Sequence, residues 1–417
     1  MLSELYVANF KSLGDKGVIL RPRPLTVLTG ANGSGKSSIP EALCLLAQSI
    51  GSSGLRSDGE FVKFGSDEAF IHKRELNRLL QISLTIDEIT TEGRKSPGAL
   101  YAYRQTPTEV IQRALSSESE IVSLNWEAAS GSLTFTREDE NLLTTPPQGI
   151  DPRSVLNPDV FRIRIGIVPP SVMDQLNIGR EIVSRVASFL RERFFFISAF
   201  RGGAEFYLRS QSVEDPRWVG ANGAMTNHIL SKMNASRQFD QQAQRVAVWA
   251  EKFELGGLKA GWVGAGQLRS DYIEPKLETV IDTVLASHGS RQALSFITQI
   301  FWSPAGTTLV IEEPEISLHP EAQTLLPSLF AEAIKRGVQI IVTTHSPFLV
   351  SSLWKPVSER EISASDMAVY HFEKEPTGST ARILSFGIDG RLKEYVPSFE
   401  KVESKFLSDA MDNAPKA

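Results

Sequence analysis

Cysteine is nearly absent: Cys44 is the single one in 417 residues. No internal disulfide framework can brace the chain, and with a start that reads directly as a strand, Met1-Leu2-Ser3-Glu4-Leu5-Tyr6, and no signal peptide, the expected compartment is the reducing cytoplasm. No stretch approaches the ~20 consecutive apolar residues of a membrane span, so no membrane partner is expected. Positive charge is not in excess either. The 44 Lys and Arg against 49 Asp and Glu give a net charge of −5, so contact with nucleic acid would need a local basic patch and is expected to be weak for the chain alone. Between Gly65 and Ser287 no heptad pattern is sustained, which excludes a long coiled-coil arm, and there is no internal repeat. What the chain has is core material: 41% hydrophobic residues, enough for two or three lobes.

The most specific motif lies near the start. Gly30-Ala31-Asn32-Gly33-Ser34-Gly35-Lys36-Ser37 fits G-x-x-x-x-G-K-[ST], between an apolar strand, Leu25-Thr26-Val27-Leu28, and a helical stretch, Ile39 to Leu46. Gly30, Gly33 and Gly35 allow the sharp bends that turn backbone N–H groups toward phosphate oxygens at a helix N-terminus. Lys36 is expected to neutralise the β- and γ-phosphates and Ser37 to hold Mg²⁺, with Asn32, Ser34 and Ser38 completing the contacts of the loop. Pro40 lies in the first turns, which costs little only if the helix starts close to Lys36. Cys44 fits a core position on that helix.

A second cluster is far downstream. After the apolar strand Thr308-Leu309-Val310-Ile311 come Glu312 and Glu313, at a strand end where parallel sheets bind ligands. Glu312 is expected to hold the metal through water and Glu313 to orient or deprotonate the attacking water. One strand later, Val338 to Thr344 delivers His345 to the same sheet edge, in reach of a γ-phosphate. His72, His228 and His371 read as ordinary core or surface groups.

Between these clusters, Ile82 to Ile86, Val122 to Trp126 and Leu133 to Phe135 alternate at period two, as half-buried antiparallel strands do. A turn-rich linker follows from Thr144 to Pro152, then an alternating strand, Phe161 to Ile167. Beyond Pro170 the period becomes helical, as in Ile182 to Leu190, and continues with interruptions to about Ala286. From Leu294 short apolar strands alternate with helices, which signals a parallel sheet. The expected fold is α/β, a P-loop ATPase head with an antiparallel β lobe and a helical insertion. The N-terminal ATPase lobe would span residues 1–170, a helical lobe 171–290, and the rest of the ATPase core with its closing strands 291–417.

Asn9-Phe10-Lys11-Ser12, the phosphate loop, Ile311-Glu312-Glu313-Pro314-Glu315-Ile316-Ser317-Leu318-His319-Pro320 and Thr343-Thr344-His345-Ser346-Pro347 together resemble the ABC-type ATPases of the OLD and RecF/SMC-like group. The resemblance implies ATP and Mg²⁺ as ligands, a contribution of Lys11 to nucleotide binding, and two heads that dimerise around two ATP molecules. Each site would then take a signature loop from the opposite subunit. The candidate is Ser287-His288-Gly289-Ser290-Arg291-Gln292, in which Ser287 and Gly289 could offer a hydroxyl and backbone N–H groups to a γ-phosphate. Many relatives have Asp where Glu312 stands, and neither Gln48 nor Gln81 is assigned as a phosphate-sensing glutamine.

Phe194 to Gly202 and the turn Val219-Gly220-Ala221-Asn222-Gly223 are similar to OLD-like ATPases of bacterial defence systems such as the Septu and PARIS ATPase subunits, which work with a nuclease partner. Roughly seventy residues follow Pro347, reading as a closing hairpin and too few for a second catalytic domain of ~100 residues. The resemblance therefore implies a dimer, or a higher assembly, that couples ATP binding and hydrolysis to a separate nuclease or toxin chain in anti-phage defence. Two alternatives stand beside it: a RecF/SMC-like repair ATPase that binds DNA directly, with Arg180, Arg185, Arg191 and Arg193 as a basic helical run, and an ATP-binding scaffold with little turnover.

Overall fold

The computed structural model describes residues 1–50, 55–75, 78, 80–89, 95–105, 109–115, 121–127, 132–137, 140–144, 186–201, 216–263, 267–274, 276–401 and 405, with the backbone alone from 87 to 144. Its centre is a six-stranded sheet in the order β10-β14-β15-β3-β16-β17. These strands are β3 (Leu25–Gly30), β10 (Phe194–Ile197), β14 (Thr308–Glu312), β15 (Gln339–Thr344), β16 (Met367–Glu375) and β17 (Gly378–Leu384). All neighbours are parallel except β17, which closes the sheet as an antiparallel hairpin with β16.

Every residue of β3, β10, β14 and β15 is buried, as expected of parallel strands covered on both faces. The side chains alternate between two cores. Leu28, Phe194, Phe196, Val310 and Ile341 meet the helix Ser38–Ser49 on one face. On the other, Val27, Phe195, Ile197, Leu309, Ile311, Ile340 and Val342 meet the helices His288–Trp302 and Leu326–Lys335.

An antiparallel sheet carries the order β2-β1-β4-β5-β6-β7-β8-β9. It is built from β1 (Leu2–Ala8), β2 (Val18–Leu20), β4 (Leu80–Ile89), β5 (Lys95–Gln105), β6 (Glu109–Leu115), β7 (Ile121–Glu127), β8 (Ser132–Arg137) and β9 (Glu140–Thr144). The three runs with alternating apolar residues thus fall on β4, β7 and β8. Gln339 ties this sheet to the parallel one. Its buried amide accepts from the Leu2 N–H at 3.1 Å, donates to the Leu2 carbonyl at 2.9 Å, and accepts from the Thr308 hydroxyl at 2.8 Å.

The stretch expected to be helical needs correction. It contains helical residues 186–192, overlapping the run read as helical from Ile182 to Leu190, and the helices Thr226–Ala235 and Asp240–Lys252, but also β10 and a separate antiparallel sheet of β11 (Gly256–Val263), β12 (Gln267–Glu274) and β13 (Thr279–Asp282). Here β11 turns only small or half-buried residues inward, Leu258 and Ala260, so its period-two signal is weak; β10 is four apolar residues long, too short to show any period. The linker beyond Thr144 and the strand Phe161 to Ile167 lie outside the described residues. With a phosphate-loop strand inside a parallel sheet and an antiparallel lobe hung from β1, the fold is that of an ABC-type P-loop ATPase head.

The β16–β17 turn packs backbone to backbone against the loop after β1. A Cβ on Gly378, at φ +136°, would stand 2.4 Å from the Gly14 amide nitrogen, and Ser379 N–H donates to the Ser12 carbonyl at 2.8 Å. Gly378→Ala is expected to destabilise the protein by about 2 kcal/mol or more through strain and overpacking, read as a lower midpoint in urea unfolding with an unchanged slope.

Candidate functional site

The site begins at the carboxyl end of β3. Gly30, Gly33 and Gly35 have φ of 147°, 71° and 103°, values that L side chains rarely adopt. A Cβ on Gly30 would meet the Phe372 carbonyl at 2.3 Å, whereas one on Gly33 would meet nothing within 4 Å. The loop is thus packed tightly beneath and open above, a cradle for phosphate oxygens. The helix begins at Ser38, its first amides bonding back to Gly35 and Lys36 carbonyls, so Pro40 sits in the first turn where its missing N–H has no intrahelical partner to lose.

Lys36 is buried, its amine donating to the carbonyls of Gly30 at 3.0 Å and Ala31 at 2.9 Å. Burial lowers its pKa to about 8, against the opposing pull of Glu313 and Glu315. A buried cation held by carbonyl dipoles is short of counter-charge, which a phosphate supplies. Ser34 Oγ is buried without a hydrogen-bond partner, Ser37 makes no side-chain cap bond to its helix, and Ser38 Oγ lies 3.2 Å from Ser12 Oγ. Asn32 is exposed on the loop.

Glu312 ends β14 and is 8% exposed. Burial, then the nearby Glu41 carboxylate, raises its pKa to about 7, while the Ala199 N–H, donating to Glu312 Oε2 at 3.4 Å, opposes the rise. Glu313 follows with φ +42°, its N–H donating to the Thr343 carbonyl at 2.9 Å. His345 stands across from it, Nε2 to Glu313 Oε1 at 3.6 Å. Burial, then Lys36, holds the His345 pKa below its usual value, and Glu313 opposes this. Lys36, Glu312, Glu313 and His345, from both ends of the chain, therefore share one sheet edge.

A cavity of about 870 Å³ opens there, lined by Lys11, Ser37, Glu41, Arg201, Glu312 and Glu313 among others. Ser37 and Glu312 face it as a hydroxyl and a carboxylate, the oxygen donors a magnesium ion takes. The crowding of Glu41, Glu312 and Glu313 gives such a cation a further electrostatic reason to bind. The residues present fit both the triphosphate and the metal.

Three participants escape sequence reasoning. Glu41, one helical turn beyond Ser37, forms an ion pair with Lys11; burial raises its pKa, and Lys11 opposes that. The i,i+4 spacing from Ser37 is the signal that could have found it. Glu315 Oε1 accepts from both the Thr344 hydroxyl and the His345 N–H at 2.7 Å. Arg201 is buried and reaches backbone carbonyls of the acidic turn.

Ser287 and Gly289 are not brought to Lys36. Ser287 caps the helix His288–Trp302, its Oγ accepting from Ser290 N–H at 3.2 Å. A Cβ on Gly289 would stand 2.3 Å from the Ser317 carbonyl, so this position packs against the turn after the acidic pair. Both line a separate groove with Ser317 and His319, whereas His288 and Gln292, from the same run, line the cavity that Ser37 and Glu312 face. Gln48 is engaged elsewhere, bonding Arg56 and Val62.

Residues 25–351 match the sequence profile of the family described as "AAA domain, putative AbiEii toxin, Type IV TA system". No curated protein matches the chain. Among solved structures it is similar to an SMC head domain from Thermotoga maritima, with 13% identity and a TM-score of 0.41 over 92% of this chain and 99% of that one. A second is an SmcHead bound to the C-winged helix domain of ScpA, with 16% identity and a TM-score of 0.47 over 92% and 98%.

Because the Glu312 pKa is raised from 4.5 to about 7, the folded state holds a proton there that the unfolded chain has released between those values. The metal-free fold thus loses stability from this group as pH rises through that window. Glu312→Gln is expected to stabilise the metal-free protein more at pH 8 than at pH 5, by on the order of 1–3 kcal/mol, measured by urea unfolding at both pH values.

Proposed function

The chain belongs to this family of AAA-domain ATPases, and from that premise we propose that it is a dimeric ATP-driven switch that hydrolyses ATP to ADP and phosphate and thereby controls a separate nuclease or toxin chain in anti-phage defence. The observation that carries the reading is the meeting of Glu313 with His345 at 3.6 Å on the sheet edge that also holds Lys36. The family's description names a toxin–antitoxin setting, and the separate effector chain is this reading's own addition to it.

In this reading the loop from Asn32 to Ser38 wraps the triphosphate, Lys36 lies against the β- and γ-phosphates, and Lys11 adds positive charge from the cavity wall. Ser37 and Glu312 would hold Mg²⁺, which when bound would supply charge neutralisation to the triphosphate. Glu313 takes the proton of the attacking water, and His345, with a pKa below its usual value and so neutral at pH 7, fixes that carboxylate and the γ-phosphate side of the water. Ser287 and Gly289 act on the nucleotide of the other subunit. The dimer closes on two ATP molecules and opens when the γ-phosphates leave, the change an effector can read. Among the described residues no helix is long and apolar enough to cross a membrane, and the switch is taken to act in the cytoplasm.

Glu313→Gln is expected to lower kcat by about 100-fold or more while ATP binding persists, with ATP-dependent dimers accumulating in light scattering. Lys36→Ala is expected to lose binding itself. A wild-type protein without turnover would instead make the chain a nucleotide-binding scaffold. The isolated chain is expected to bind duplex DNA weakly; tight binding with a steep salt dependence would favour a repair ATPase. Affinity isolation from the host, with the co-purifying chains identified, tests the effector.

A further inference from the structure

Glu313 is held in an unfavourable backbone shape. Its φ of +42° lies in the left-handed region, uncommon for a residue with a side chain, and it precedes Pro314, which pushes the preceding residue toward extended conformations. Such a shape persists only where the surroundings over-determine it. On one side the Glu313 N–H is tied to β15 through the Thr343 carbonyl at 2.9 Å. On the other side stands Arg201.

The Arg201 guanidinium is 1% exposed. It donates to the carbonyls of Glu312 at 2.7 Å, Glu313 at 2.9 Å and Ser198 at 3.0 Å. The ring of Phe296 lies 5.5 Å from Cζ and backs the planar fork. Burying a guanidinium is costly, and its hydrogen bonds here go to main-chain oxygens of the acidic turn and of its own loop. Two of those three oxygens belong to the residues placed on the metal and the water. The same loop sends Ala199 N–H to the Glu312 carboxylate, so the segment after β10 grips the acidic pair by backbone and side chain alike.

We propose that Arg201 is a positioning residue for hydrolysis: its fork over the Glu312 and Glu313 carbonyls locks Glu313 in the left-handed conformation that aims its carboxylate at His345. Without the fork, residue 313 relaxes toward an extended shape and the carboxylate swings off the water. Among the described residues the fork is committed to the carbonyls of Ser198, Glu312 and Glu313 rather than to the phosphate loop, so although Arg201 borders the cavity, its loss is expected to weaken turnover far more than nucleotide binding. The proposal rests on the reading of Glu313 as the group acting on water.

The test compares Arg201→Gln, Arg201→Lys and Glu313→Gln in the full chain. Each is assayed for steady-state ATP turnover, for Kd toward the non-hydrolysable analogue AMP-PNP with Mg²⁺, and for urea unfolding. Arg201→Gln is expected to lower kcat by about tenfold or more with the AMP-PNP Kd within about threefold of wild type, and Arg201→Lys to fall between, since an ammonium can still bridge carbonyls. Wild-type kcat in a folded Arg201→Gln protein overturns the proposal. So does parallel loss of kcat and AMP-PNP binding. If neither Arg201 variant folds, Arg201 serves the fold and not the turn, which overturns it equally. Full turnover in Glu313→Gln defeats the underlying reading of Glu313, whereas a dead Glu313→Gln beside a fully active Arg201→Gln defeats only the role given to Arg201.

Discussion

The register of three parallel strands is the constraint on which the site depends. Leu28 of β3 stands opposite Thr343 of β15, and Thr343 stands opposite Glu312 of β14. The phosphate loop, the acidic pair and the histidine therefore leave the sheet at one level although the loop lies far from the other two in the chain. Because strand side chains alternate between faces, a one-residue slip of β14 would exchange the two faces that Val310 and Ile311 fill. Apolar burial on both faces is thus what fixes the polar geometry at the edge, and Gln339, buried between Leu2 and Thr308, carries that registration into the antiparallel lobe.

Around that edge the fold buries charges whose compensation is incomplete. Lys36 is held by loop carbonyls, Glu41 sits close enough to raise the pKa of Glu312, and Arg201 spends its fork on main-chain oxygens. Each of these costs stability in a ligand-free fold. A triphosphate and a divalent cation have the charges that relieve the first three, whereas Arg201 is already committed to the turn. The site is therefore divided into groups waiting for ligand charge and groups that brace them.

The phosphate loop, the acidic pair and His345 were legible in the sequence because each combines a local pattern with a strand whose apolar run announces it. The alternating strands at Ile82, Val122 and Leu133 and the closing hairpin were legible for the same reason. Arg201 was not, since an arginine after Phe200 looks like a surface residue until β10 is seen beside β14. The three-stranded sheet at Gly256 to Asp282 was hidden by small residues that blunt its alternation. Glu315 and Glu41 were written in the motifs themselves, but which carboxylate grips the His345 amide and which pairs with Lys11 is decided by packing across elements. The left-handed backbone of Glu313 has no local signal at all, since Glu before Pro predicts the opposite shape.

The central claim is that Lys36, Ser37, Glu312, Glu313 and His345 act on one triphosphate. A crystal structure of the Glu313→Gln protein grown with ATP and Mg²⁺ tests it most directly. The account predicts the γ-phosphate between the Lys36 amine and the side chain at position 313, with the cation on Ser37 Oγ and His345 facing the same phosphate. A triphosphate bound away from Lys36, or one whose γ-phosphate leaves the acidic pair on another face, would contradict it.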